Sequence, residues 1–272
     1  MHEPGLRLLG LTVDRVTRDW REAIERDEVE LVSIATPPAA HREIAEAALA
    51  LDKAVLCEKP LAATLEDAEA MAGLSGRTAV NFSYRALPAF VCARELLGEP
   101  ERIDVRWESP SRTRAHAPSW KDDAELGGGA LAGYGVHALD YALWLLGPAS
   151  VRAAAFERDD DACSVELAFA SGAEGRIHVS LVAPSAHHRV ELRGAHTLVL
   201  ENCDPVDPVT PFTLTLDGEP VDVPRASPPD GDPRIAPYAV HAAALLAGGE
   251  VPTFADGLAA QRLLHAAREA AS

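Results

Sequence analysis

The 272-residue sequence predicts a parallel α/β unit followed by an α+β unit, on two changes of texture along the chain. From about residue 20 to residue 98, short β-branched runs alternate with amphipathic segments at a spacing that suits β-α-β units, so the first sheet is expected to be parallel. After residue 100, period-2 segments follow one another with little helix between them. That pattern predicts an open antiparallel sheet with helices on one face.

The elements follow in order. Asp19-x-x-Glu22 has capping-box spacing and opens a helix reaching toward Asp27. Residues 30–35 are short, apolar and β-branched, and Thr36-Pro37-Pro38 closes them as a buried strand. A helix is expected over 39–51, with Ile44, Ala48 and Leu51 on one stripe. Residues 54–57 form the next strand, Thr64-x-x-Asp67 caps another helix, 78–82 make a third strand, and a helix runs from Pro88 to Leu97. One long helix is predicted from Gly129 to Leu146. Strands are then expected at 150–157, 162–170, 175–183, 188–193, 196–202 and 212–217, and helices at 234–247 and 256–271. The Pro- and Asp-rich stretch 203–234 reads as loops over the sheet.

Composition narrows the function. The formal charge is −17, and no Lys/Arg cluster offers the basic footprint that a phosphate backbone needs, so no nucleic-acid partner is expected. No apolar run approaches the ~18 residues of a membrane span, and no membrane association is expected. Cys57, Cys92, Cys163 and Cys203 fit neither a zinc motif nor a disulfide framework, and His187-His188 reads as a strand pair, so no metal site is expected. With no secretory signal at the start of the sequence, the cytoplasm is the expected location.

Three groups of residues are more specific. They are Ile34-Ala35-Thr36-Pro37-Pro38 with His41 behind it; Cys57-Glu58-Lys59-Pro60-Leu61-Ala62; and Trp120, then Gly127-Gly128-Gly129, then Gly135-Val136-His137-Ala138-Leu139-Asp140. In this order and spacing, with Asn81 to Arg85 and Phe254 to Arg262, the sequence resembles the Gfo/Idh/MocA family of NAD(P)-dependent sugar and cyclitol oxidoreductases. The resemblance covers the chain from about residue 10 onward.

The resemblance implies a Rossmann-like domain over 1–98 and an α+β substrate-binding and oligomerisation domain over 99–272, with the last helix packing back on the first domain. It implies NAD or NADP as cofactor, a sugar, cyclitol or related polyol as substrate, and a homo-oligomer formed through the antiparallel sheet. An exposed apolar sheet face would require such an assembly. His137 becomes the candidate base, since an imidazole titrates near working pH. Lys59 becomes the candidate that stabilises charge on the substrate oxygen. Ala35, Thr36, Pro37, His41, Glu58, Lys59, Pro60 and Arg85 are expected along the cofactor, because ligands bind outside the carboxyl ends of parallel strands. Lys59, Asn81, Trp120 and His137 are expected at the substrate, beside Lys121, and the Lys59–Pro60 bond is expected to be cis. Plainer readings stay open: a core role for His137, a helix-start residue at His41, a solvated Arg85, and a surface pair between Lys59 and Glu58.

Two departures from the family matter. The usual aspartate four residues before the histidine is Gly133 here. No G-x-G-x-x-G turn is present, Met1 to Leu9 reads as the tail of a helix capped by Gly10, and a truncated Rossmann-like domain is expected, with roughly 50 residues lacking. That turn would give the pyrophosphate two or three charge-assisted bonds of about 1.5–3 kcal/mol each. Their loss would weaken binding roughly a thousandfold or more. The competing reading is therefore a truncated non-redox homologue that binds a small molecule or partner, or does acid–base chemistry through His137 without a dinucleotide.

Overall fold

A computed structural model describes residues 15–111, 128–158, 160–204, 212–224 and 235–271. The proposed helix tail Met1–Leu9 with its Gly10 cap, together with Trp120, Lys121 and Gly127, lies outside the described residues.

The first sheet has three parallel strands in the order β1 (Leu31–Ile34), β2 (Ala54–Cys57), β3 (Thr78–Val80). β2 is buried throughout because it is covered on both faces. Its alternate side chains divide between two cores. Val55 and Cys57 join Ile34 and Val80 under α2 (His41–Ala50) and α3 (Leu65–Ala72), whereas Ala54 and Leu56 meet Leu245 of α6 (Ala236–Ala247) on the other face. Local chemistry sets the helix starts. Asp19 caps the short α1 (Trp20–Ile24) by accepting from Arg21 N, and Thr64 caps α3 by accepting from Asp67 N. Two details differ from expectation. Glu22 bonds Thr17 rather than closing a capping box, and Leu51 is an exposed C-cap rather than a stripe residue.

Residues 81–87 carry the chain into the second unit, and α4 (Pro88–Leu96) follows with a proline in its first turn. The second sheet has eight strands in the order β11-β10-β9-β8-β4-β7-β6-β5. They are β4 (Arg102–Glu108), β5 (Ala149–Glu157), β6 (Ala162–Phe169), β7 (Glu174–Ser180), β8 (His187–Arg193), β9 (Thr197–Asn202), β10 (Thr213–Leu216) and β11 (Glu219–Pro220). The sequence reading needs two corrections here. It places no strand at 102–108, although Arg102-Ile-Asp-Val-Arg-Trp-Glu108 alternates charged and apolar side chains, and this strand is central. The sheet is also mixed, since β4 runs parallel to β7 while pairing antiparallel with β8.

The inner face carries Ile103, Val105, Ile177, Val179, Val190 and Leu200 against α4, α5 (Val136–Leu146) and α7 (Phe254–Ala270). The outer face is polar, and ion pairs run across it: Arg102–Asp104, Arg106–Glu108, Arg152–Glu174, Arg176–Glu166 and Arg189–Glu191. α7 spans both units, packing on α3 and β3 as well as on α5 and β5.

The helix predicted over 129–146 is interrupted by a π-helical turn at Leu131–Gly135 before α5 begins. Its start is held by Asp160 of the β5–β6 turn, whose carbonyl accepts from Ala130 N and whose Oδ1 accepts from Leu131 N. Gly129 permits this approach: its φ is +86°, and a Cβ there would stand 2.1 Å from Asp160 Oδ2. Gly129→Ala is expected to cost about 1–3 kcal/mol, read as a lower denaturant midpoint. An unchanged midpoint would contradict this account of the helix start.

Candidate active site

The register Ile34–Cys57–Val80 brings the next residues, Ala35, Glu58 and Asn81, to one carboxyl edge of the parallel sheet. Ala35 and Pro37 are exposed there, and Thr36 is half-buried, its buried Oγ1 without a partner among the described residues. The Lys59–Pro60 peptide is cis, as the resemblance implied. Asn81 Nδ2 donates to Glu58 Oε1 (2.8 Å), and Tyr238 Oη of α6 donates to the same oxygen. Because the carboxylate fixes which end of the amide faces it, Asn81 Oδ1 points elsewhere, and it is buried without a partner among the described residues.

Lys59 joins the two units. Its Nζ donates to the Gly133 carbonyl at 2.5 Å, inside the π-helical turn and four residues before His137. A single π turn displaces the regular carbonyl ladder and is frequent at functional sites. His137 retains 8% exposure, and its ring packs edge-on against Tyr84 with centroids 5.2 Å apart. Its Nδ1 is buried and has no partner among the described residues. Apart from its chain neighbours and its own helix backbone, no described atom lies within 4 Å of a Cβ built on Gly133, so the position where the family often carries an aspartate opens onto free space.

Behind His137, His188 stacks on Trp107 (4.1 Å between centroids) and shares a hydrogen bond of 3.1 Å with Tyr141 Oη. Three rings are held neutral. Burial, then the charge of Lys59, pushes His137 well below the usual histidine range. Burial takes His188 down to about 3, and burial with Arg85 nearby takes His241 down to about 4. Unfolded histidines titrate near 6.5, so below that pH the unfolded chain binds protons that the fold refuses. The stability is complete above about pH 6.5 and falls by up to about 1.4 kcal/mol per pH unit per ring as the pH drops. Asp140, which burial pushes up to about 7 against the pull of Arg85, acts in the opposite sense, one group against three. The denaturant midpoint should therefore fall between pH 7 and pH 5, and less steeply in His241→Leu. A flat profile would contradict the buried neutral rings.

Two residues expected along the cofactor are engaged by other parts of the chain. The His41 ring is 1% exposed, with Nε2 at 2.9 Å from the Thr36 carbonyl and Nδ1 at 3.1 Å from the Leu61 carbonyl. Both nitrogens face carbonyls of the loops after β1 and β2 and are turned away from solvent. Arg85 is held in a buried ion-pair fork rather than solvated. Nε and Nη2 fork onto Asp140 at 3.0 and 2.6 Å, and Nη1 reaches Asp256 at 3.0 Å. It joins the loop after β3 to α5 and α7. Tyr238 and the Gly133 carbonyl were absent from the expected set. Tyr238 stands in an Ala-rich helix outside any motif that would mark it, and a backbone carbonyl leaves no trace in sequence.

A parallel sheet whose carboxyl edge faces a helix of a second, mixed sheet is the architecture of two-domain nucleotide-binding oxidoreductases. Residues 10–84 match the family described as "Oxidoreductase family, NAD-binding Rossmann fold", and residues 91–198 match the "GFO/IDH/MocA C-terminal domain". The chain belongs to the Gfo/Idh/MocA family. It is 33% identical over 145 residues to levoglucosan dehydrogenase of Pseudarthrobacter phenanthrenivorans, covering 48% of this chain and 36% of that protein. It is 35% identical over 149 residues to inositol 2-dehydrogenase 2 of Saccharopolyspora erythraea, covering 52% of this chain and 42% of that protein. The chain thus spans less than half the length of these curated relatives. The crystal structure of an oxidoreductase domain protein from Kribbella flavida superposes with a TM-score of 0.75 at 31% identity, over 93% of this chain and 80% of that one.

Proposed function

We propose that this chain carries the catalytic cleft of an NAD(P)-dependent oxidoreductase acting on a hydroxyl or carbonyl carbon of a sugar, cyclitol or related polyol. The observation that carries the reading is the Lys59–Gly133 hydrogen bond, which sets an ammonium beside the helix of a neutral imidazole across two sheets. Thr36 Oγ1, Asn81 Oδ1 and His137 Nδ1 are buried polar atoms without partners among the described residues. Such atoms cost about 1–3 kcal/mol each unless a ligand satisfies them. This fits a polar ligand at the strand ends. Ala35, Thr36, Pro37, Glu58, Lys59 and Pro60 would hold the nicotinamide end, and nicotinamide supplies the hydride acceptor. Lys59 and Asn81 would orient the substrate hydroxyl, and the Lys59 ammonium stabilises charge developing on its oxygen. Kept unprotonated by burial, His137 accepts the hydroxyl proton.

The test offers anhydrosugars, aldoses and cyclitols to the purified protein with NAD or NADP and follows the reduced cofactor. Turnover of one stereochemical series is expected; folded protein inert with both dinucleotides across the panel would contradict the reading. The oligomer belongs to the same proposal. With ion pairs rather than apolar side chains on the outer sheet face, association through it is electrostatic. It should weaken between 50 mM and 500 mM salt in sedimentation; a salt-independent oligomer places the contact elsewhere. No described helix is long and apolar enough to cross a membrane. Four free thiols, two of them buried, are consistent with the proposed cytoplasmic location, which cell fractionation tests.

A further inference from the structure

The outer face of the second sheet carries a cluster unrelated to the cleft. The β8–β9 register pairs His188 with Asn202 and Arg189 with Glu201, so one further step sets His187 opposite Cys203. Side chains alternate between faces. His188 and Asn202 therefore turn into the core, while His187, Glu201 and Cys203 share the solvent side. One imidazole nitrogen, one carboxylate oxygen and one thiol sulfur lie within 4.8 Å of one another.

These donors suit a zinc-class ion. A thiolate, an imidazole and a carboxylate together favour such a metal over magnesium or calcium, which take oxygen ligands. His187 Nε2 stands 2.9 Å from Glu201 Oε1, close to the roughly 3.3 Å edge of a tetrahedron with bonds of about 2.0 Å. The other side of the ring gives a second indication. His187 Nδ1 faces Glu108 Oε2 at 3.7 Å, and Arg106 holds Glu108 through a 2.6 Å hydrogen bond. A ligating histidine that presents its second nitrogen to an anchored carboxylate is the usual outer arrangement of protein zinc sites. Arg189 Nη1, 3.5 Å from Glu201, competes for that carboxylate and limits the affinity.

We propose that His187 Nε2, Glu201 and the Cys203 thiolate bind one zinc-class divalent cation, with Glu108 orienting the imidazole and solvent completing the coordination. Such an ion would clip β8 to β9 at the rim of the sheet. The site is independent of the oxidoreductase reading, since none of its residues reaches the cleft.

The test titrates chelator-treated protein with cobalt(II) chloride and follows the thiolate-to-cobalt charge-transfer band. One equivalent should saturate the band, and equimolar zinc chloride should bleach it. Cys203→Ser should abolish the band, and His187→Ala should weaken binding at least roughly tenfold. Cys203 is exposed, so its serine variant should keep the far-ultraviolet circular dichroism of the parent and remain interpretable even if His187→Ala misfolds. Absence of a saturable band overturns the proposal. So does a band that survives in Cys203→Ser, which would move the ligand to another cysteine.

Discussion

Replacing His137 by asparagine is expected to lower kcat/KM by roughly 10²–10⁴-fold, the usual worth of a positioned general base. Its Nδ1 has no partner among the described residues and burial holds the ring neutral, so no described hydrogen bond is lost. The thermal midpoint should therefore move little while turnover collapses. This separates a chemical role from a structural one. His188, buried in the same aromatic cluster and bonded to Tyr141, should show the reverse, with stability lost first. If His137→Asn keeps its turnover, or loses stability and activity together, the proton is taken elsewhere.

The second large effect is on stability. Arg85→Met leaves Asp140, 1% exposed, without either arm of the guanidinium fork. Removing one member of a buried pair strands the other and costs about 3–5 kcal/mol. Asp256, with a third of its side chain exposed and also bound at Thr253, loses less. Burial already pushes Asp140 up to about 7. Without Arg85 its folded-state pKa rises further, so the folded variant takes up a proton more readily than its unfolded chain. The deficit against the parent should therefore shrink as the pH falls from 8 toward 5, and Arg85→Met/Asp140→Leu should recover most of it. Denaturant midpoints of the three proteins across that range check this. A deficit under about 1 kcal/mol would place Arg85 among ordinary surface pairs.

Much of the first sheet was legible because its signals are local. The four apolar residues of β2, the Thr64 cap and the Glu58-Lys59-Pro60 turn each lie within a few positions of sequence. The second sheet was legible strand by strand but not in its pairing. Period-2 alternation states which side chains face inward and says nothing about the direction of the neighbour, so the parallel β4–β7 contact did not show. The π turn at Leu131–Gly135 shifts the helical pattern by a single residue, too little to break the prediction of one continuous helix. At the proposed site, Lys59 and His137 were suggested by the family resemblance. The partners of Arg85 stand 55 and 171 positions away, and only the folded chain brings them together.

The central claim is that Lys59 and His137 act on one substrate oxygen as a unit, and a double-mutant cycle tests it most directly. Kinetic constants would be measured for Lys59→Met, His137→Asn and the double variant with the best substrate and cofactor. Groups that work together lose their effect together, so the double variant should fall within roughly threefold of the worse single one. If the two losses multiply instead, the lysine and the imidazole serve separate steps, and the shared site does not exist.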